Sequence, residues 1–294
     1  MTQKFRNLAL AAMLSLAAAT QAKTALVVIV HGSPSAKWNR PALQIDSMLR
    51  QTHIPGFHYK RVAFMEFAQP DIQAVFDDCE RQETDTVLAL PLFIAPSGHS
   101  EDDVPNLLGL KFDPETRKSL REENARFVHT KMHTVVGPTL NCGSIIEEIM
   151  LERIKHLSKD PKNEAVLLFS HGDPWRIGFW KKLLKRNCDK VTQNTAIDYT
   201  DSKLIAMGYT LVDDIKPMAL QAQAKKKRII LQGIYLSSSM VDLALDNVKG
   251  DLKQSLGLND DTELVVSDMG IIPASSQRVV DWIRDIASQW RQDN

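Results

Sequence analysis

The chain repeats itself. Ala25-Leu-Val-Val-Ile-Val-His31-Gly-Ser-Pro is matched, about half the chain later, by Ala165-Val-Leu-Leu-Phe-Ser-His171-Gly-Asp-Pro. A repeat on this scale constrains architecture more than any single element, because it demands two similar units side by side. In each copy a short apolar run stops at His-Gly. Such a run, bounded by turn residues, reads as a strand buried on both faces of a parallel sheet. Further pairs follow in register: Thr86–Ile94 with Arg228–Leu236, His133–Gly137 with Glu263–Asp268 and, more weakly, His58–Glu66 with Lys203–Tyr209. A length of 294 residues gives each unit enough chain for its own core.

Between these strands lie helical patterns: Pro41–Leu49, Asp71–Arg81, Ile145–Leu157 and Ser276–Trp290 space apolar residues three and four apart. Strand–helix alternation implies right-handed βαβ units. The expected fold is therefore α/β, with two similar lobes at 23–158 and 159–294, each a parallel β-sheet flanked by helices. The joint falls in the polar stretch Leu157–Asn163. Ligands of open α/β sheets bind beyond the carboxyl ends of the strands, so the expected site is a cleft between the lobes' facing crests.

Residues 1–22 read as a secretory signal peptide. Lys4 and Arg6 precede an apolar, Ala-rich run from Leu8 to Ala19, and Thr20-Gln21-Ala22 offers a cleavage site. The run is short for a membrane span, so the mature protein is expected in the periplasm without a membrane anchor. Acidic and basic side chains balance at 36 each, which argues against a nucleic-acid partner held by bulk charge. The basic run Lys225–Arg228 reads as a solvated loop on the same ground. There is no P-loop, no G-x-S-x-G and no G-x-G-x-x-G after the first strand, so no nucleotide is expected. Cys79, Cys142 and Cys188 are too few for a disulfide scaffold; one pair could bridge in an oxidising space, or all could be plain thiols. Nothing in the sequence fixes whether the protein is a homo-oligomer.

The strand ends carry the candidate chemistry. His31 and His99, each beside glycine, follow two different strands and can converge on one divalent ion, for which imidazole is a suitable donor. A single strand-end histidine is more often a hydrogen-bonded loop residue; the pair makes a metal site a competing reading. Glu66 stands among Phe64, Met65 and Phe67, where an acid either acquires a raised pKa and a role or turns to solvent. Ser100-Glu-Asp-Asp-Val-Pro105 could supply carboxylates, but reads first as a helix start with Ser100 as N-cap. The second lobe keeps His171 but has Ser238-Ser-Met240 where the first has Ser97-Gly-His99, and no acid in Ala206–Tyr209. Pro174–Lys182 mixes Trp175, Phe179 and Trp180 with Arg176 and lysines. It is either an amphipathic helix or a seat for a planar, carboxylate-bearing ligand.

Taken together, Val27-Val-Ile-Val-His31-Gly-Ser33, Ala63-Phe-Met-Glu66 and Pro91-Leu-Phe-Ile-Ala-Pro-Ser-Gly98-His99-Ser-Glu-Asp-Asp103-Val-Pro105 resemble the class II chelatases, CbiX-type sirohydrochlorin cobaltochelatases above all, in their long, two-lobe form. The resemblance implies an ATP-independent enzyme that inserts Co2+, or else Fe2+ or Ni2+, into a tetrapyrrole; the metal is substrate and no nucleotide cofactor is used. It implies His31 and His99, with Glu66, as metal site and proton-transfer residues. A carrier of metal or tetrapyrrole on the same fold is the competing expectation. Phosphoryl transfer on His31 is weaker, since Val30 stands where an arginine would hold phosphate.

Overall fold

The computed structural model describes residues 22–205, 210–237, 251–267 and 270–293. The leader, apart from Ala22, and the second-lobe segments Ala206–Tyr209 and Ser238–Met240 lie outside them. Two four-stranded sheets carry the chain, each wholly parallel. The first has the order β2-β1-β3-β4, from β1 (Thr24–Val30), β2 (Phe57–Phe64), β3 (Thr86–Pro91) and β4 (His133–Val136). The second repeats that order as β6-β5-β7-β8, from β5 (Glu164–Ser170), β6 (Tyr199–Leu204), β7 (Arg228–Gly233) and β8 (Glu263–Ser267). The repeated His-Gly strands β1 and β5 are flanked by strands on both sides and buried along their whole length, as continuous apolar runs require.

Helices differ more from expectation. α1 (Ala36–Gln51) begins five residues before the predicted start and holds Pro41 within it. α2 (Ile72–Arg81) is capped by Asp71, whose side chain accepts the Ala74 N–H. His99–Asp103 forms a wide π-helical turn running into the short α3 (Val104–Leu107), so Ser100 lies inside the turn and is no N-cap. The strand before it stops at Pro91 rather than Ile94, since proline cannot donate to the ladder beyond it. α4 (Pro114–Glu122) and α7 (Leu211–Gln223) were not anticipated: α4 is mostly polar, and α7 contains Pro217. The second lobe's edge strand is Tyr199–Leu204, earlier than the stretch expected at Lys203–Tyr209. α8 is Leu252–Ser255.

The closing helices cross over. α5 (Ile145–Leu157) follows the first sheet but packs on α6 (Ile177–Asn194) of the second half. α9 (Ile271–Asp293) follows the second sheet but packs on α1, and its Trp290 meets Phe57 at the start of β2 with ring centroids 6.0 Å apart. One continuous apolar core results, running from Leu26, Val28 and Ile45 through Ile146 and Ile149 to Trp180, Leu183 and Ile283. At roughly 25 cal/mol per Å2 of apolar surface buried, this exchange ties the lobes together more firmly than surface contacts could.

The cysteines are all free: Cys79 and Cys188 are buried, Cys142 exposed. Among the described residues no helix is long and apolar enough to cross a membrane.

Candidate metal site in the inter-lobe cleft

The carboxyl ends of β1 and β5 open onto one cavity of about 870 Å3, lined from both halves of the chain. His31, Phe67, Phe93 and His99 line it from the first lobe, His171 and Tyr235 from the second. Trp175, 90% exposed, stands at its lip. No Lys or Arg is among the described residues of the lining, which is chiefly aromatic and apolar with a few polar groups.

The structure brings all three predicted residues together. The His31 and His99 rings meet edge to face, with centroids 4.5 Å apart. The Nδ1 atom of His31 lies 2.7 Å from the Gly32 carbonyl oxygen, which can only accept, so Nδ1 carries the proton. Its Nε2 then faces Glu66 Oε1 at 2.9 Å. One proton must sit between these two atoms. Burial, and then the facing His99, hold the His31 imidazole below its ordinary range. Burial, and then the Glu123 charge, push the Glu66 carboxyl up. Both shifts favour the uncharged pair, with a carboxylic acid donating to a neutral ring. The second oxygen, Oε2, is buried without a hydrogen-bond partner among the described residues. Glu66 is therefore not turned to solvent; it is 9% exposed and locked beside the imidazole.

His99 is fixed differently. Its Nδ1 donates to Asp103 Oδ2 at 2.7 Å, one turn along the π-helical turn, and Phe93 stacks beside the ring with centroids 5.9 Å apart. A carboxylate on Nδ1 sets the tautomer and leaves Nε2 as a lone-pair donor. Asp103 thus has a role that the helix-start reading passed over. The four-residue spacing from His99 was the signal that could have found it.

Gly32 makes the juxtaposition geometrically feasible. Its φ is +95°, and a Cβ there would stand 1.9 Å from the Glu66 carbonyl oxygen. The Glu66 N–H in turn donates to the His31 carbonyl at 3.0 Å. The backbones carrying imidazole and carboxylate are thereby held in contact.

The second lobe clamps the loop that carries His99. Asp173 Oδ2 accepts the Gly98 N–H at 2.9 Å, Arg176 pairs with Asp102 at 2.6 Å, and Trp180 Nε1 donates to the Pro96 carbonyl at 3.0 Å. Trp180, Leu183 and Leu184 point into the core, so Ile177–Asn194 is the amphipathic helix of the two readings; Trp175 is left free at the lip. The loop clamp was invisible in sequence, because it depends on the approach of two segments some 75 residues apart.

Among the described residues no cluster of three or more His, Cys, Asp or Glu forms a ready metal cage. The donors on offer are two imidazoles, with Glu66 engaged through His31. That is an open set, suited to an ion that arrives and leaves rather than to a structural one.

Known proteins share part of the sequence and the fold. Residues 25–157 match the CbiX family model. A sirohydrochlorin cobaltochelatase of Saccharolobus solfataricus is 21% identical over 129 residues, covering 44% of this chain and 91% of its own length. A sirohydrochlorin cobaltochelatase of Sulfurisphaera tokodaii is 29% identical over 83 residues, 28% of this chain and 66% of its own. Those relatives correspond to a single lobe. Two solved structures match across both lobes: SirB from Bacillus subtilis with Fe3+ (TM-score 0.66, 15% identity, 92% of this chain and 98% of that one) and the sirohydrochlorin chelatase SirB from Bacillus subtilis subspecies spizizenii in complex with cobalt (0.61, 14%, 90% and 95%). The first lobe, residues 25–157, thus carries a CbiX-type sequence, and the chain as a whole has the two-lobed fold of these chelatase structures.

Proposed function

We propose that the protein inserts a divalent metal into a tetrapyrrole of the sirohydrochlorin class, without ATP. The observation that carries the reading is the pair of cavity imidazoles, each pinned through Nδ1 so that Nε2 carries a lone pair, open at His99 and held by the Glu66 carboxyl at His31 until an ion takes it. A planar macrocycle fits the aromatic walls of the cavity by stacking and by apolar burial.

A free tetrapyrrole must lose two pyrrolic N–H protons as the metal enters. His31 and His99 present the metal to the ring face. When the ion takes the His31 Nε2 lone pair, the proton shared with Glu66 stays on the carboxyl, which burial has already prepared to hold it. Once that proton has passed to solvent, the ionised Glu66 can accept a pyrrolic proton or act as a third donor, through oxygen, beside the two imidazoles. Two neutral imidazoles hold a divalent ion loosely enough to surrender it to four ring nitrogens. Co2+ is the expected metal, on the names of the curated relatives, with Fe2+ and Ni2+ as competitors. We also read residues 1–22 as a leader that sends the protein to the periplasm; cell fractionation and N-terminal sequencing of the processed chain test that separately.

The test is anaerobic absorbance of the purified protein with sirohydrochlorin and Co2+, beside His31→Ala and His99→Ala. Spectral conversion over many turnovers, lost in both variants, is the expected result. A stoichiometric shift without turnover would replace the enzyme with a carrier. Undiminished turnover in either variant would displace the site.

A further inference from the structure

The duplication left a third imidazole in the cavity that the metal site does not use. His171 ends β5 as His31 ends β1, and its Nδ1 is pinned in the same way, 2.6 Å from the Gly172 carbonyl oxygen. Nδ1 therefore carries the proton, and Nε2 is a bare lone pair. Around His31 that atom meets Glu66; around His171, among the described residues, no protein group meets it. The ring is held by Trp180 (centroids 4.8 Å apart) and Tyr235 (5.9 Å) and lines the cavity from the second lobe.

Beside it, Tyr235 closes the same wall. The Tyr235 hydroxyl is buried without a hydrogen-bond partner among the described residues, and the residue is 7% exposed. Burial keeps the phenol protonated. The polar atom that this apolar wall offers a ligand is the bare imidazole nitrogen, a match for a pyrrolic N–H at the centre of a macrocycle.

We propose that His171 is a catalytic base of the chelation, accepting a pyrrolic proton from the second-lobe side while His31 and His99 deliver the metal from the first. The inference rests on the chelatase reading above. In the step, a pyrrole N–H bond breaks and its electron pair becomes a nitrogen–metal bond. The proton passes to His171 Nε2, forming an imidazolium that releases it to solvent after the metallated product leaves. The other pyrrolic proton passes to Glu66 only after that carboxyl, freed from His31 by the arriving ion, has given its own proton to solvent. The charged or titratable groups facing His171 are Asp173, which would stabilise that imidazolium, and His99, which would oppose it. Burial keeps the resting ring neutral and able to accept.

The test uses full-length protein with three readouts. In His171→Asn, turnover should fall about 100-fold or more, the range for loss of a general base, while affinity for Co2+ alone, measured by titration calorimetry, stays within about twofold of wild type. In His171→Gly, added imidazole should restore at least a tenth of wild-type turnover. Should the Asn variant not fold, His171→Gln takes its place, with the melting curve as the check. Turnover within threefold of wild type in a folded variant would overturn the proposal. So would an equal loss of Co2+ affinity, which would make His171 a ligand, or the failure of imidazole to rescue. If the wild-type protein itself shows no turnover, the chelatase reading fails first and the base falls with it. If the wild type turns over and the variants do too, only the base is lost.

Discussion

The substitution Gly32→Ala, set against Gly172→Ala, isolates the contact on which the site depends. Both glycines follow a repeated histidine and both have positive φ, +95° and +78°. Adding a Cβ to a left-handed residue costs about 1–2 kcal/mol wherever it sits. The surroundings differ. At Gly172 the new carbon would meet the side-chain methyls of Leu204 at 3.2 and 3.3 Å, which can swing a few tenths of an ångström. At Gly32 it would meet the Glu66 carbonyl oxygen at 1.9 Å, so the backbone itself must move by more than 1 Å. Overpacking of that kind adds about 1–3 kcal/mol. Gly172→Ala should therefore lose about 1–2 kcal/mol, and Gly32→Ala about 2–5 kcal/mol. The displaced backbone belongs to Glu66, so the 2.9 Å approach to His31 Nε2 opens in the same event. Chelation should then fall by at least 100-fold in Gly32→Ala, beyond what stability explains, and by little in Gly172→Ala. Urea unfolding gives the first comparison; absorbance turnover at a temperature where both variants are folded gives the second. Equal losses at the two glycines, in stability and in turnover, would refute the claim that the Gly32–Glu66 contact builds the site.

Four further outcomes are expected. Asp103→Ala removes the carboxylate that pins His99 Nδ1 at 2.7 Å; Co2+ affinity should fall about 10- to 100-fold with little change in melting temperature, and unchanged affinity would remove Asp103 from the site. Asp173→Ala strands the Gly98 N–H and should cost about 1 kcal/mol while raising KM for metal, because the His99 loop loosens; a stability loss with KM unmoved would reduce the clamp to scaffolding. NMR titration of the metal-free protein should place the His31 midpoint below 6.5, since burial and then His99 disfavour the cation; His99→Ala should move it only part of the way back, because burial is the larger cause. Because that folded value is lowered, protonation of His31 works against the fold as pH drops through 6.5, and a midpoint at or above 6.5 would contradict the buried pair. Glu164 sits at the base of β5, accepting N–H bonds from Lys159 and Asp160 and pairing with Arg228 at 2.6 Å; although burial works against it, these partners hold its carboxyl below the usual range. Its contribution is full above the unfolded value of about 4.3 and is lost as pH falls through the folded value. Glu164→Gln should cost about 3 kcal/mol at neutral pH, at the low end for a broken buried pair because Arg228 keeps Glu263, and should flatten the acid limb of stability.

What the sequence could show followed from which forces act locally. The repeated apolar runs named both central strands, since a strand buried on two faces leaves an unbroken apolar signature. His31, Glu66 and His99 were visible as chemical types at strand ends, and the sheet order β2-β1-β3 places their three loops side by side. The exchange of α5 and α9 was hidden, because an amphipathic helix declares an apolar face but not which surface will cover it. Pro217 concealed a whole helix, and Pro41 the first turn of another, both of which tertiary packing sustains. The wide turn at His99–Asp103 was misread as a capped start because local capping rules assume ordinary α-helical spacing.

The helix exchange also bears on how one site came to be built from two halves. A single lobe leaves the face of its first helix uncovered; the partner's last helix covers it, so neither half completes its core alone. The lobes are thus held at fixed separation around the cavity, and each wall could specialise without losing the other. In the first lobe, His31 is matched by a second imidazole and an acid. In the second, the position of His171 is kept, but its surroundings became Trp180 and Tyr235, and its neighbours Asp173 and Arg176 turned to gripping the loop of His99. A divalent ion needs several donors on one side only, while a planar ring needs a second face to lie against. Duplication followed by unequal loss supplies that asymmetry, and a rigid inter-lobe core keeps both faces at the spacing one macrocycle requires.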